Sequence, residues 1–177
     1  RYRYSNPAFN GLALIIQHEG EKAKPGDRVF STIDSFTIPV GSGFVGRVVS
    51  GLAQPKDGRS PIQADAQYPI FGVAPGVLER EPLNEALETG VKIIDMMNPV
   101  GKGQRQLILG DRSTGKTAIA LDAILNQRGK DVLCIYCCIG KAESALNKVM
   151  DLFAERGVLE YTTVVAATAS DPVGQQY

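Results

Sequence analysis

Several things are scarce in this chain of 177 residues, and each shortage removes a class of function. Net charge is the first: 19 Lys plus Arg stand against 19 Asp plus Glu, so the formal charge is zero. A neutral chain has no electrostatic pull on nucleic acid or on an anionic membrane, and neither is expected as a direct partner. Long apolar runs are missing too, and none approaches the roughly 18 residues of a membrane-spanning helix. Arg1-Tyr2-Arg3-Tyr4 lacks the apolar core of a signal peptide. The chain starts on Arg1 and stops on Pro172-Val173-Gly174-Gln175-Gln176-Tyr177, so it is expected to be a piece of something longer. The single histidine, His18, sits at the edge of a polar turn with no triad or metal partner near it in sequence. It reads as a solvated loop residue.

Cysteine is sparse and clustered. Cys134, Cys137 and Cys138 lie in the run Val132-Leu133-Cys134-Ile135-Tyr136-Cys137-Cys138-Ile139. The Cys-x-x-Cys spacing works as a redox pair at a loop-to-helix junction, where a helix dipole lowers a thiol pKa. This run reads instead as a core strand, whose alternation points Cys134 and Cys137 to opposite faces. The three are expected to be buried, reduced packing residues in reducing surroundings.

What is present is globular. Hydrophobic residues make up 44% of the chain, enough for one ordinary core or one core plus a fragment of another. Residues 1–35 carry two short strand candidates, at 12–16 and 28–31, too few to bury a core alone. From Phe36 to Pro82 Gly and Pro punctuate heavily; Phe44–Val49 is the clearest strand there, and the rest reads as connections. Glu81–Gly90 reads as a short helix, and Val91–Met97 as another, stopped by Asn98-Pro99. Gln106-Leu107-Ile108-Leu109 reads as a short buried strand. Ala118–Gln127 is a helix stopped near Gly129, Val132–Ile139 a strand, Ala142–Glu155 a helix and Tyr161–Ala167 a strand. In the Ala142 helix, Leu146, Val149, Met150 and Phe153 recur at helical spacing as one stripe facing a sheet. Strand, helix, strand, helix, strand describes an α/β fold with a doubly wound parallel sheet and right-handed crossovers.

One stretch carries the chemistry. Gly110-Asp111-Arg112-Ser113-Thr114-Gly115-Lys116-Thr117 fits Gly-x4-Gly-Lys-Thr between an expected strand and an expected helix. That order puts several backbone N–H groups around one point at the positive end of a helix dipole, where phosphates bind. Lys116 is expected to add a point charge on the outer phosphates, and the Thr117 hydroxyl to be a magnesium ligand. Glu143, the one acid just past the second strand, reads as a residue of the solvated first turn of its helix.

Four segments in fixed order then become specific: Thr89-Gly90-Val91-Lys92-Ile93-Ile94-Asp95, Pro99 to Leu109, the loop itself, and Val165-Ala166-Ala167-Thr168-Ala169-Ser170. Together with Ile38 to Val49 and Ala74-Pro75-Gly76-Val77-Leu78, they closely resemble the alpha subunits of rotary, F-type ATP synthases. The match runs over about residues 11 to 177, and the Asp111-Arg112 wording of the loop is far more specific than the bare pattern. Ile135-Tyr136-Cys137 and Asp171-Pro172-Val173-Gly174 look closest to the alternative, sodium-pumping branch.

The resemblance implies a RecA-like parallel sheet, truncated here. Residues 36–177 would be the first part of a nucleotide-binding domain, and 1–35 the remnant of an N-terminal β-barrel. It implies ATP or ADP with magnesium, held by residues 110–117 at a site that does not turn over. It implies a ring of six alternating with the catalytic beta subunit, around a central-stalk gamma subunit and beside a peripheral stalk. The membrane would be met only through that complex, on the cytoplasmic face of a bacterial inner membrane or in an organelle. The family's acidic magnesium strand, and the arginine lent to the neighbouring site, have no counterpart up to Tyr177.

Three departures from the family pattern stand out. Ser113 replaces the usual Gln, a small change in a loop that acts mainly through its backbone. About one hairpin of the barrel is missing between Gly20 and Glu21. Lys141 stands where the alpha pattern has Gln and the catalytic subunit its water-activating Glu, and an ammonium there is no general base at neutral pH. Two other readings are an independent phosphate-loop kinase or hydrolase, and a different ring motor of the secretion or termination-helicase kind. The first needs a carboxylate placed to orient a nucleophile. A helicase needs the basic excess that this chain lacks.

Overall fold

The computed structural model describes residues 37–70 and 72–176. The strand candidates at 12–16 and 28–31, His18, the barrel remnant and the deleted hairpin lie outside the described residues.

Among the described residues one parallel sheet organises the chain. Strand β6 (Cys134–Ile139) pairs in parallel with β7 (Thr162–Ala167), from Cys134 opposite Thr162 to Ile139 opposite Ala167. On its other side β7 takes the two-residue β2 (Val48–Val49), also parallel, giving the order β2-β7-β6. Between β6 and β7 the chain crosses over through helix α3 (Glu143–Glu155), which Gly157 ends in a left-handed conformation at φ 67°.

The alternation expected of β6 decides where the core lies. Tyr136 and Cys138 are buried, while Ile135, Cys137 and Ile139 face outward and are exposed. Opposite them in register, Val164 and Ala166 of β7 point into the same core. The α3 stripe covers that face: Leu146, Val149 and Phe153 are buried against it, with Met150 packed at its rim. Phe153 is wholly buried, and its ring meets Tyr136 edge to face at a centroid distance of 5.7 Å. Helix α2 (Lys116–Leu125) brings Leu121, Ile124 and Leu125 to the same cluster.

The thiols divide as the strand does. Cys138 is buried, Cys134 half-buried and Cys137 exposed, so the expectation of three buried cysteines fails at Cys137, which lies on the uncovered face. Burial pushes the Cys134 and Cys138 thiols up, as for inert packing residues. That uncovered face also limits the doubly wound expectation, because the chain displays a small parallel sheet with its core on one side.

Three further expectations change. Gln106–Leu109 is no strand: it forms no ladder, and Leu107 and Leu109 are 72% and 80% exposed. An extended apolar run becomes a strand only when a neighbour takes its backbone hydrogen bonds, and no described strand does so here. Glu81–Gly90 is no helix. Ala86–Leu87 forms β4, which pairs antiparallel with β5 (Val100–Gly101), and the Glu85 carbonyl accepts from the Lys102 N–H at 2.9 Å. The Glu88 carbonyl accepts instead from the side chains of Asn126 and Gln127, each at 2.8 Å. Long-range partners thus outcompete local helix propensity. Third, the strand expected over Phe44–Val49 is cut to β2, because Ser42–Phe44 makes a 3-10 turn and Gly46 takes φ 79°.

The Gly- and Pro-rich region holds two strands that its composition hides. β1 (Thr37–Val40) and β3 (Ala66–Pro69) pair antiparallel, and the Ser42 N–H donates to Asp65 Oδ2 at 2.8 Å just beyond them. The expected Val91 helix is present as α1 (Lys92–Met97). Asp95 folds back from it to accept from Thr89 N and Oγ1 and from Gly90 N. Those bonds, the Thr89 hydroxyl first, hold its carboxyl below the ordinary range.

Two expected outcomes test this packing. Phe153→Ala removes the largest fully buried side chain and should cost about 3–5 kcal/mol in urea unfolding of the full chain. The second concerns Asp57, which Arg47 grips through Nε at 2.5 Å and Nη2 at 3.0 Å with both side chains mostly buried. The Arg47 hydrogen bond, ahead of the Arg59 and Val48 N–H groups, outweighs burial and holds the Asp57 carboxyl well below its usual range. A depressed carboxylate contributes fully above its unfolded pKa of about 3.9 and loses that contribution as the pH falls further. Urea midpoints followed downward from about pH 5 should therefore fall more steeply in the parent chain than in Asp57→Asn; equal slopes would remove Asp57 from the acid response.

Candidate phosphate-binding site

The site begins with a loop whose two glycines are needed for different reasons. A Cβ on Gly110 would lie 2.7 Å from Thr114 Oγ1, so a side chain there would push Thr114 off its bond to the Asp111 carbonyl. Gly115 has open space around it but adopts φ 90°, a left-handed conformation at the cap of α2. Ser113 shares that region at φ 64°, a rare place for a residue with a side chain. It is also the position where the sequence departs from the resembling pattern.

Between these points the loop is tied by its own groups. Thr114 Oγ1 donates to the Asp111 carbonyl at 2.8 Å. Lys116 turns back over the loop, its ammonium donating to the Gly110 carbonyl at 2.8 Å, to the Asp111 carbonyl, and to Thr114 Oγ1 at 3.4 Å. The first turn of α2 is closed by the Ile119 N–H on the Gly115 carbonyl at 3.1 Å. Residues 110–115 are exposed, while Lys116 and Thr117 are half-buried. The expected residues Gly110, Asp111, Arg112, Ser113, Thr114, Gly115, Lys116 and Thr117 thus form one continuous turn into a helix N-terminus, with Lys116 at its centre. Missing from the expected setting is the strand before it.

α2 is held from its far end. Tyr161, which leads into β7, donates its hydroxyl to the Ile124 carbonyl at 3.1 Å. Asn126 and Gln127 reach the Glu88 carbonyl, and Lys130 forms an ion pair with the Glu88 carboxylate at 2.5 Å. The helix that presents the loop is therefore fixed both to the sheet and to the segment before α1.

A second lysine arrives from elsewhere. Lys141, in the turn after β6, donates to Thr117 Oγ1 at 3.1 Å. Gly140 makes that approach possible by taking φ 67°, and its N–H bonds the Ala167 carbonyl at 2.8 Å. The Lys141 carbonyl in turn accepts from the Ala169 N–H at 3.0 Å. Glu143 is exposed in the first turn of α3, as its position in sequence suggested, and makes no ion pair among the described residues.

Thr117 was expected to ligate magnesium, and the donor set around it can be tested for that role. Magnesium takes hard oxygen ligands in near-octahedral geometry at about 2.0–2.1 Å. Here the Thr117 oxygen accepts from an ammonium, which competes for its lone pairs and repels a dication. An ammonium beside the Thr117 oxygen suits an anion better than a dication at that one atom.

One nearby cluster carried no local signal. Asp171 accepts from Thr168 N at 2.6 Å and Oγ1 at 2.9 Å, and pairs with Lys56 at 2.6 Å across 115 residues. It pins the loop after β2 to the end of β7, beside the Lys141 turn. Thr168 and Asp171 lie in or next to segments that carried the resemblance, but nothing in the sequence pointed to Lys56.

Comparison with known proteins accords with this geometry. Residues 90–177 match the family described as ATP synthase alpha/beta family, nucleotide-binding domain. The chain is 51% identical over 167 residues to ATP synthase subunit alpha of Clostridium acetobutylicum, covering 94% of this chain and 33% of that protein. It is 48% identical over 168 residues to ATP synthase subunit alpha of Thiobacillus denitrificans, and 47% identical to that of Dehalococcoides mccartyi, again over 95% of this chain and 33% of each relative. The chain spans about a third of the length of the curated relatives it matches. It belongs to the ATP synthase alpha/beta family, as a partial chain of the alpha-subunit kind that includes nucleotide-binding-domain sequence over residues 90–177.

Proposed function

We propose that this chain is the part of an ATP synthase alpha subunit that grips ATP or ADP without cleaving it. The observation that carries the reading is the closed turn from Gly110 to Thr117, with Lys116 folded over its centre and Gly115 opening α2. Backbone N–H groups at the start of a helix, with an ammonium beside them, form a site for phosphate oxygens. Lys116 meets the outer phosphates by exchanging its loop carbonyls for phosphate oxygens. The Thr117 hydroxyl and the loop N–H groups orient the chain of phosphates, and the bond from Thr114 Oγ1 to the Asp111 carbonyl, for which Gly110 leaves room, keeps the loop tight.

What surrounds the loop supports holding without cutting. Hydrolysis needs a group that orients or deprotonates water at the last phosphate. The side chain that reaches the loop from the end of β6 is Lys141, which donates and does not accept. Glu143 points to solvent from the first turn of α3. Magnesium at Thr117 would have to displace the Lys141 ammonium from that oxygen.

In this reading residues 36–177 are the first part of the nucleotide-binding domain and 1–35 part of a β-barrel. The partners are the beta subunit in an alternating ring of six, the central-stalk gamma subunit and the peripheral stalk. No helix among the described residues is long and apolar enough to cross a membrane. In the same reading the chain sits on the cytoplasmic face of a bacterial inner membrane, or at an organelle membrane, through the assembled complex.

Two outcomes are expected. Lys116→Ala should weaken binding of a fluorescent ADP by at least about a hundredfold, because it removes the charged donor from the phosphates; an unchanged titration would refute the site. The chain without its partner subunits should release phosphate from ATP no faster than buffer, followed by a coupled phosphate assay, and clear turnover would overturn the non-catalytic reading.

A further inference from the structure

Two lysines converge on the loop from different parts of the fold, and only one belongs to its motif. Lys116 rises from the first turn of α2, whereas Lys141 comes from the turn after β6, with 24 residues separating it from the Thr117 that it touches. The Lys141 backbone is fixed from both sides by bonds to the end of β7: Gly140 N–H to the Ala167 carbonyl, and Ala169 N–H to the Lys141 carbonyl. Its side chain is exposed and forms no ion pair among the described residues. Its position is therefore set by the sheet, and its charge is not spent on a carboxylate.

The 3.1 Å contact between Lys141 Nζ and Thr117 Oγ1 has a direct chemical consequence. An anionic oxygen that accepts from the Thr117 hydroxyl lies within reach of the same ammonium, so both donors can serve one phosphate. A dication bound to Thr117 Oγ1 meets that ammonium as a like charge and as a competitor for the oxygen. We infer that Lys141 is a phosphate-binding residue of this site, supplying beside Thr117 the positive charge that a divalent cation otherwise supplies, so that the nucleotide is held with little requirement for magnesium. This rests on the nucleotide-holding reading above and adds to it which side chain neutralises the phosphates.

The test titrates fluorescent ADP into the full chain, once with magnesium chloride and once with EDTA. The parent chain should lose less than about tenfold in affinity when magnesium is withdrawn. Lys141→Gln, which keeps a polar donor but no charge, should lose about ten- to a hundredfold in EDTA, the scale of one charge-assisted hydrogen bond, and recover with magnesium. Lys141→Arg should behave as the parent, which a merely structural role for the side chain would not require. Since Lys141 is exposed, thermal melts of all three should coincide and separate loss of binding from loss of fold. Equal EDTA penalties in the parent and Lys141→Gln would overturn the role of Lys141 while leaving the site intact, provided Lys116→Ala still weakens binding as expected above. Binding absent from the parent in both buffers would overturn the nucleotide-holding reading and this inference together.

Discussion

The parallel pairing of β6 with β7 is the constraint on which the rest of this structure depends. It sets Tyr136 and Cys138 beside Val164 and Ala166, the one surface that α3 can cover with Leu146, Val149 and Phe153. The same register ends both strands together, with Ile139 opposite Ala167, and the chain leaves the sheet on either side through short turns. Those turns bond to each other, Gly140 to Ala167 and Lys141 to Ala169. A sheet edge that ends in register becomes a platform, and phosphate sites of α/β folds are built on such carboxyl edges. A hydrogen bond from Lys141 to Thr117 joins the loop to the platform.

How firmly the loop is held depends on α2 as much as on the sheet. Its inner side chains, Leu121, Ile124 and Leu125, reach the core only at its rim, so apolar burial alone gives it a modest anchor. Directional bonds do more at its C-terminal end. Tyr161 caps the Ile124 carbonyl, while Asn126, Gln127 and Lys130 all fasten to Glu88. Gln127 is buried there and shares its amide between the carbonyls of Glu88 and Ala123, so removing either acceptor would leave a buried donor poorly satisfied. Glu88 precedes Thr89 and Gly90, which Asp95 clamps into the start of α1. The conspicuous run from Thr89 to Asp95 thus has a mechanical role: it fixes the carbonyl that fixes the helix behind the phosphate loop.

What could be read from the sequence was whatever is encoded locally. The loop, α2, β6, α3 and β7 announce themselves through glycine placement and the spacing of apolar residues, and their ends shift by only a few residues. The misses share a physical cause, since each depended on a partner distant in sequence. Gln106–Leu109 has the composition of a buried strand, but a run of apolar residues cannot supply its own ladder. Glu81–Gly90 has helix formers, yet its carbonyls go to Lys102, Asn126 and Gln127. β3 is exposed, β1 is at most half-buried, and each contains a proline, so neither full burial nor alternation marks them. At the site the motif placed Lys116 and Thr117 correctly on one turn, and the oddity of Lys141 was visible as a departure from pattern. Its contact with Thr117 was not, because only the β6–β7 register brings the two together.

That contact also bears on why a phosphate loop can bind without hydrolysing. The turn that follows β6 brings Lys141 to Thr117 of the loop, and the chemistry of the side chain there bears on the outcome. A carboxylate accepts a proton from water and repels the phosphates, so it needs a metal to bring the charges into balance. An amide neither accepts strongly nor repels. An ammonium goes further, because it attracts the phosphates and offers no lone pair to a water. In the proposed reading Lys141, placed on Thr117 by the clamp between Gly140 and Ala169, would favour the bound nucleotide and would offer the transition state no base. On that proposal tight holding and slow cutting would have one cause, a donor standing where catalysis would need an acceptor.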